Sequence, residues 1–280
     1  MKIRSFDKAK AILYLVATPI GNLEDMTFRA VRILSEVDKI YAEDTRNSLV
    51  LLNHYDIHTK LESYHEFNQD LKSEQILNEL KSGMKLAIIS DAGLPVISDP
   101  GYKIAKSVIA EGIAVSTIPG ASAGISALVS SGIAPMPYTF YGFLDSKKTK
   151  RVKELEDLKF VNNTLIFYEA PHRIEETLED MISVFGDREA CLARELTKSF
   201  EEYVRGKLTE IKAELPLKGE MVLIVSGYQE KEEIDNPFIR IEELISLGYK
   251  PNEAIKMVAK EANINRSDLY KDYLDYKNNK

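Results

Sequence analysis

The 280-residue chain has no tryptophan and one cysteine, Cys191. A single cysteine excludes an internal disulfide framework and a cysteine-rich zinc site, and it leads us to expect a reducing, cytoplasmic compartment. No apolar run reaches the roughly 18 residues that a membrane helix needs, so no membrane partner is expected. The N-terminus starts basic but lacks a long apolar core and a small-residue cleavage site; residues 1–11 read as a tail leading into a strand, not as a signal peptide. Histidine is sparse: His54, His58, His65 and His172. There is no HExxH, and the i,i+4 pair His54 and His58 spans Asp56-Ile57, which reads as a turn, so no metal is expected. Positive charge is in deficit: 37 Lys and Arg against 44 Asp and Glu give a net charge of −7. That balance disfavours a generic nucleic-acid binder and leaves room only for local basic patches. Also missing are GxxxxGK[ST], GxGxxG and GxSxG, which excludes an ATP-cradling loop, a dinucleotide fingerprint and a nucleophile elbow.

What remains is an ordinary globular balance, 44% hydrophobic and 29% charged. Strand-like apolar runs alternate with amphipathic segments. The strand candidates are Ile12–Thr18, Lys39–Asp44, Leu86–Ser90, Ala114–Gly120, Thr139–Leu144, Thr164–Ala170, Arg188–Leu196 and Met221–Gly227. Between them lie helix candidates: one capped by Thr27 with Ala30, Val31, Ile33, Leu34 and Val37 inward, one ended by Gly83, and one over Tyr102–Glu111. This rhythm predicts an α/β fold of two open α/β domains. We expect an N-terminal domain over 12–120, a C-terminal one over 121–229, a charged linker over 230–237 and a small helical appendage over 238–280. YVRGKLTEIKAEL reads as a hairpin-like link and a helix.

In open α/β sheets ligands bind beyond the carboxyl ends of strands. The loops there are TPIGN (Thr18–Asn22), EDTRN (Glu43–Asn47), DAGLPVISDPG (Asp91–Gly101), PGASAG (Pro119–Gly124), EAPHR (Glu169–Arg173) and RELTK (Arg194–Lys198). Their small residues let a ligand approach the main chain. Turn chemistry alone accounts for any one of them, but not for the whole set. In DAGLPVISDPG, Asp91–Ile97 is expected to expose main chain to the ligand, while Asp99 and Pro100 are expected to start the next helix.

Read in order, YLVATPIGNLEDMTFRA, YAEDTR, SDAGLPVISDPG, PGASA, LIFYEAPHR, LARELTK and GEMVLIVSG resemble the tetrapyrrole methylase superfamily, and within it the branch that acts on ribosomal RNA. The resemblance spans about Leu13–Gly227. It implies two α/β domains with S-adenosyl-L-methionine between them, a homodimer, and methylation of a cytidine ribose 2′-oxygen of 16S rRNA in the decoding region of the small ribosomal subunit. By position it implies cofactor contacts at Pro19, Ile20 and Gly21, at Ala92, Gly93, Leu94 and Ile97, at Ser122 and Ala123, and at Glu169 and Leu196. Tetrapyrrole-modifying relatives commonly carry Gly-Gly-Asp where this chain has Ala92-Gly93-Leu94. That departure removes a carboxylate, leaves main-chain contacts intact and favours the rRNA branch. Leu94 stands where rRNA enzymes often have Thr.

A ribose hydroxyl is a poor nucleophile at neutral pH, so a nearby base helps. Glu43, Asp44, Glu169, His172 and Glu195 all lie at strand ends, and Glu43 and Asp44 are favoured; their alternative is a helix N-cap with a charge partner. For RNA contacts the candidates are Arg46, His172, Arg173, Arg194 and Lys198, together with Lys147, Lys148, Lys150 and Arg151 of KKTKRVK, which reads equally as a solvated basic loop. Two other functions stay open: a small-molecule methylase acting on a tetrapyrrole-type compound, and a silent scaffold that binds no cofactor.

Overall fold

The structure, a computed structural model, describes residues 11–98, 101–229, 236–262 and 264–278. Asp99 and Pro100, the tail over 1–10 and most of the linker lie outside the described residues.

The first half runs β1 (Ile12–Val16), α1 (Phe28–Glu36), β2 (Lys39–Ala42), α2 (Thr45–His54), β3 (Leu61–Ser63), α3 (Gln69–Lys81), β4 (Lys85–Ile89), α4 (Tyr102–Ala110) and β5 (Ala114–Ile118). The strands form an all-parallel sheet in the order β3-β2-β4-β1-β5. Apolar side chains on both strand faces, such as Leu13 and Tyr14, are buried, as a sheet covered by helices on both sides requires. Thr27 caps α1 through its side chain, accepting from Ala30 N, and Ala30, Ile33 and Leu34 turn inward.

The second half runs α5 (Ala123–Ser131), β6 (Tyr138–Phe143), α6 (Lys148–Leu158), β7 (Thr164–Glu169), α7 (Ile174–Phe185), β8 (Glu189–Arg194), β9 (Glu202–Lys207), α8 (Leu208–Ala213) and β10 (Met221–Val225). This sheet is mixed, in the order β6-β7-β10-β8-β9. β6 and β7 are parallel, whereas β10 runs antiparallel to both of its neighbours, β7 and β8. The segment read as a hairpin-like link is a full edge strand, β9, paired with β8. Both sheets belong to one compact unit ending at Tyr228.

A second unit starts at Gln229. It holds α9 (Pro237–Ser246), α10 (Pro251–Glu261) and α11 (Arg266–Asn278), with its own small core of Ile241, Leu244, Ile255, Val258, Leu269 and Tyr273. Among the described residues no helix is long and apolar enough to cross a membrane.

Candidate functional site

Strand β1 sits between β4 and β5, so the loops leaving these three strands emerge side by side. They are stitched together. Thr18 N donates to Gly93 O at 2.9 Å and Gly93 N to Thr18 O at 3.1 Å. The buried Thr18 hydroxyl donates to Ser90 O at 3.1 Å, and Ala17 N donates to Ile118 O. Gly93 has φ +78°, and a Cβ there would lie 3.4 Å from Ile20 Cγ2 and 3.5 Å from Ala121 O. The same loop holds Val96 and Ser98 at φ +78° and +66°. Positive φ at a β-branched residue stores strain, which persists only where the surrounding structure enforces it.

The second sheet supplies the facing wall. Register places Met221, at the start of β10, opposite both Glu169 at the end of β7 and Arg194 at the end of β8. The next residues, Glu195 and Thr197, again have positive φ, +49° and +67°, and flank Leu196.

Between these walls lies a cavity of about 410 Å³, within the usual range for small-molecule sites. Of the residues expected to hold a cofactor, Ile20, Ala92, Gly93, Leu94 and Ile97 line it from the first half. Ser122, Ala123, Glu169 and Leu196 line it from the second. Pro19 and Gly21 do not: Pro19 is buried, and Gly21 packs outward against Lys198, whose Cγ would lie 2.6 Å from a Cβ at that position. Sequence reasoning missed Phe143, Tyr168, Glu220, Met221 and Val222, which also line the cavity. Met221 and Val222 escaped because β10 is antiparallel, so its amino end meets the site. Tyr168 had a detectable signal, an aromatic one residue before the strand end. Its ring stacks edge-on with Phe143 at 5.5 Å, and its hydroxyl accepts from Gly124 N in the first turn of α5.

Glu169 is almost wholly buried, with its carboxylate engaged by Thr177 Oγ1 at 2.7 Å, by Ala170 N at 2.8 Å and by Arg173. It is held in place as part of the wall. Arg173 also donates to Leu144 O at 2.7 Å.

At the rim, Asp44 caps α2 by accepting from Arg46 N and pairs with the Arg46 guanidinium at 2.7 Å. Hydrogen bonds from the Arg46 side chain and backbone hold its pKa at about 2. That is the capping role, and it makes Asp44 a poor proton acceptor. Glu43 differs: burial first, then the neighbouring Asp91 charge, pushes its carboxyl above the usual range. Asp91 lines the cavity and accepts from Asp44 N and Asn47 Nδ2.

The basic candidates divide. Lys147, Lys148 and Lys150 are exposed. Arg151 corrects the sequence expectation of an RNA contact. It is 1% exposed and donates to Asp180 at 2.8 Å, with Glu176 and Ser146 O completing its partners. The helical period explains this: the first turn of α6 turns Arg151 inward while its lysine neighbours point out. Arg194 pairs with Glu202, and Lys198 bridges Glu195 and Glu220 at 3.0 Å each. His172 is exposed at the entry to α7. Among the described residues no group of His, Cys, Asp or Glu side chains is arranged to hold a metal ion.

The family model described as Tetrapyrrole (Corrin/Porphyrin) Methylases matches residues 12–212. A Streptococcus pyogenes serotype M1 protein named ribosomal RNA small subunit methyltransferase I is 50% identical over 276 residues, 96% of either chain. A protein of the same name from Halalkalibacterium halodurans is 48% identical over 274 residues, 94% of this chain and 95% of its own. Among solved structures, uroporphyrin-III C-methyl transferase from Thermus thermophilus, complexed with S-adenyl homocysteine, superposes with a TM-score of 0.54 at 18% identity, over 77% of this chain and 96% of that one. At that identity the likeness is one of fold.

Proposed function

The chain belongs to the tetrapyrrole methylase family, and on that premise we propose that it methylates the ribose 2′-oxygen of a cytidine in the decoding region of 16S rRNA. The methyl donor is S-adenosyl-L-methionine, whose sulfonium supplies an activated methyl group. The observation that carries the reading is the cavity of about 410 Å³, walled by loops of both sheets, in a chain 50% identical to an enzyme named for small-subunit rRNA.

The cavity suits that donor chemically. Ile20, Leu94, Ile97, Leu196, Met221 and Val222 offer an apolar bed for a purine. Asp91 and Glu220 on the lining give the cavity negative charge suited to a cationic ligand. Gly93 leaves its main chain free of a side chain at the closest approach of the two loops.

In this reading Ala92–Leu94, Ser122 and Ala123 fix the donor, and much of the acceleration comes from holding the acceptor oxygen about 3–3.5 Å from the methyl group. Glu43, with its raised pKa and its place beside Asp91, accepts the hydroxyl proton. Lys147, Lys148 and Lys150 meet RNA phosphates. The protein works in the cytoplasm as a homodimer, to which exposed Val129 and Met136 contribute apolar surface.

The test is to map 2′-O-methylation in rRNA from cells with and without the protein, alongside a tritiated-methyl assay offering small ribosomal subunits and a uroporphyrinoid. Label in a single cytidine ribose is expected; label in the porphyrinoid alone would mean a small-molecule methylase. No binding of S-adenosylmethionine by calorimetry to folded protein would leave only the scaffold reading.

A further inference from the structure

We propose that Phe67 stacks on the base of the acceptor nucleotide and so sets its ribose beside Glu43 and Asp91. The proposal deepens the rRNA reading and rests on it.

Strands β3, β2 and β4 are neighbours, so the segments leaving them line one edge beside the cavity. Tyr64 N, just past β3, donates to Ala42 O at 2.8 Å, and Ala42 immediately precedes Glu43. Asp44 N in turn donates to Asp91 Oδ1, and Asp91 lines the cavity. An unbroken run of contacts thus links the turn after β3 to the donor site.

That turn is closed by its own hydrogen bonds. His65 N donates to Asn68 Oδ1 at 2.9 Å and Asn68 N to His65 O at 3.0 Å. Asn68 Nδ2 reaches Ser63 Oγ and His65 Nε2 at 3.2 Å each. Yet the turn leaves Phe67 95% exposed, with the His65 ring edge-on at 6.1 Å. A mobile loop tip carries such a residue without consequence; a hydrogen-bonded turn that aims an aromatic at solvent, beside an active-site rim, has the form of a stacking platform.

The surrounding charge selects which part of RNA sits there. Glu43, Glu66 and Asp91 repel phosphate, so the phosphates stay outside while an extruded base enters with its ribose. Carboxylates accept from the exocyclic amine of cytosine, the base the reading requires.

The experiment compares the full-length wild type with Phe67→Ala, Phe67→Leu and Phe67→Trp on small ribosomal subunits lacking the modification, using tritiated S-adenosylmethionine. Phe67→Ala and Phe67→Leu are expected to lower kcat/KM for the subunit on the order of tenfold, chiefly through KM, with Phe67→Trp close to wild type. Affinity for S-adenosylhomocysteine and the melting temperature stay unchanged, and Phe160→Ala, at another exposed aromatic, has no effect. Wild-type values for the Ala and Leu variants would overturn the stacking role, as would a loss of cofactor affinity or stability in parallel with activity. A wild type that labels no ribosomal RNA would instead overturn the functional reading, and this proposal with it.

Discussion

Thr18 and Gly93 exchange both of their backbone hydrogen bonds, at 2.9 and 3.1 Å, although 75 residues separate them. The loops after β1 and β4 therefore act as one body, and Gly93 is its pivot at φ +78°. Gly93→Ala places a Cβ against Ile20 and Ala121 in a conformation that costs an L-residue about 1–2 kcal/mol. We expect a melting temperature lower by a few degrees and a loss of S-adenosylmethionine affinity greater than tenfold, read by calorimetry. An unchanged dissociation constant would remove this loop from the donor site.

Glu43 is the proton acceptor to test by pH. Its carboxyl titrates above the usual range because of burial and then Asp91. The active form is the ionised one, so kcat falls as pH drops through that raised pKa. Asp91→Asn removes a like charge, lowers the pKa of Glu43 and moves the acid limb to lower pH. Asp44→Asn moves it less, because Asp44 ranks lower among the causes. Glu43→Gln is expected to reduce kcat by about 10²–10⁴-fold with donor affinity retained. A pH profile identical in wild type and Asp91→Asn would exclude Glu43 as the acceptor.

Arg151 and Asp180 form a buried pair, 1% and 5% exposed at their side chains. Among the described residues, Arg151→Ala leaves the Asp180 carboxylate with Lys148, at 3.4 Å, as its ion-pair partner. Stranding a buried charge costs about 3–5 kcal/mol, so denaturant unfolding of this variant should show that loss, with the slope m unchanged. A loss under about 1 kcal/mol would mean that water reaches Asp180.

These residues show where sequence sufficed. Strand cores such as Leu86–Ile89 announce themselves by unbroken apolar runs, and Thr27 and Gly83 mark a helix start and a helix end by local chemistry. Strand direction points every loop after a parallel strand to one edge, which marked the segments holding Ala92, Gly93, Leu94 and Glu169 as candidates; the family resemblance, not strand geometry, singled out those residues. Strand direction is a long-range property, however, so nothing local in MVLIV says that β10 is antiparallel and delivers Met221 to the cavity. The three-residue β3 was missed because so short a strand carries no period. Arg151 was misread because composition counts charges while the phase of α6 decides which of them are buried.

That phase also defines the remaining basic patch. Lys147, Lys148 and Lys150 are exposed, and their acidic neighbours are weak competitors: Lys150 lies 3.3 Å from Asp145, and Lys148 lies 3.4 Å from an Asp180 already held by Arg151. The lysine ends of these pairs are solvent-exposed and Arg151 stays on Asp180, so replacing all three lysines with Ala is expected to leave the melting temperature nearly unchanged. If the lysines meet phosphates, each displaces about one counterion, and the slope of log affinity against log salt should shrink by about two to three. Donor affinity, set by the cavity, stays constant. Binding titrations of the triple variant to small ribosomal subunits across a salt series decide the matter: an unchanged slope would return KKTKRVK to a solvated surface and put the RNA path on the other side of the rim, at Arg46 and His172.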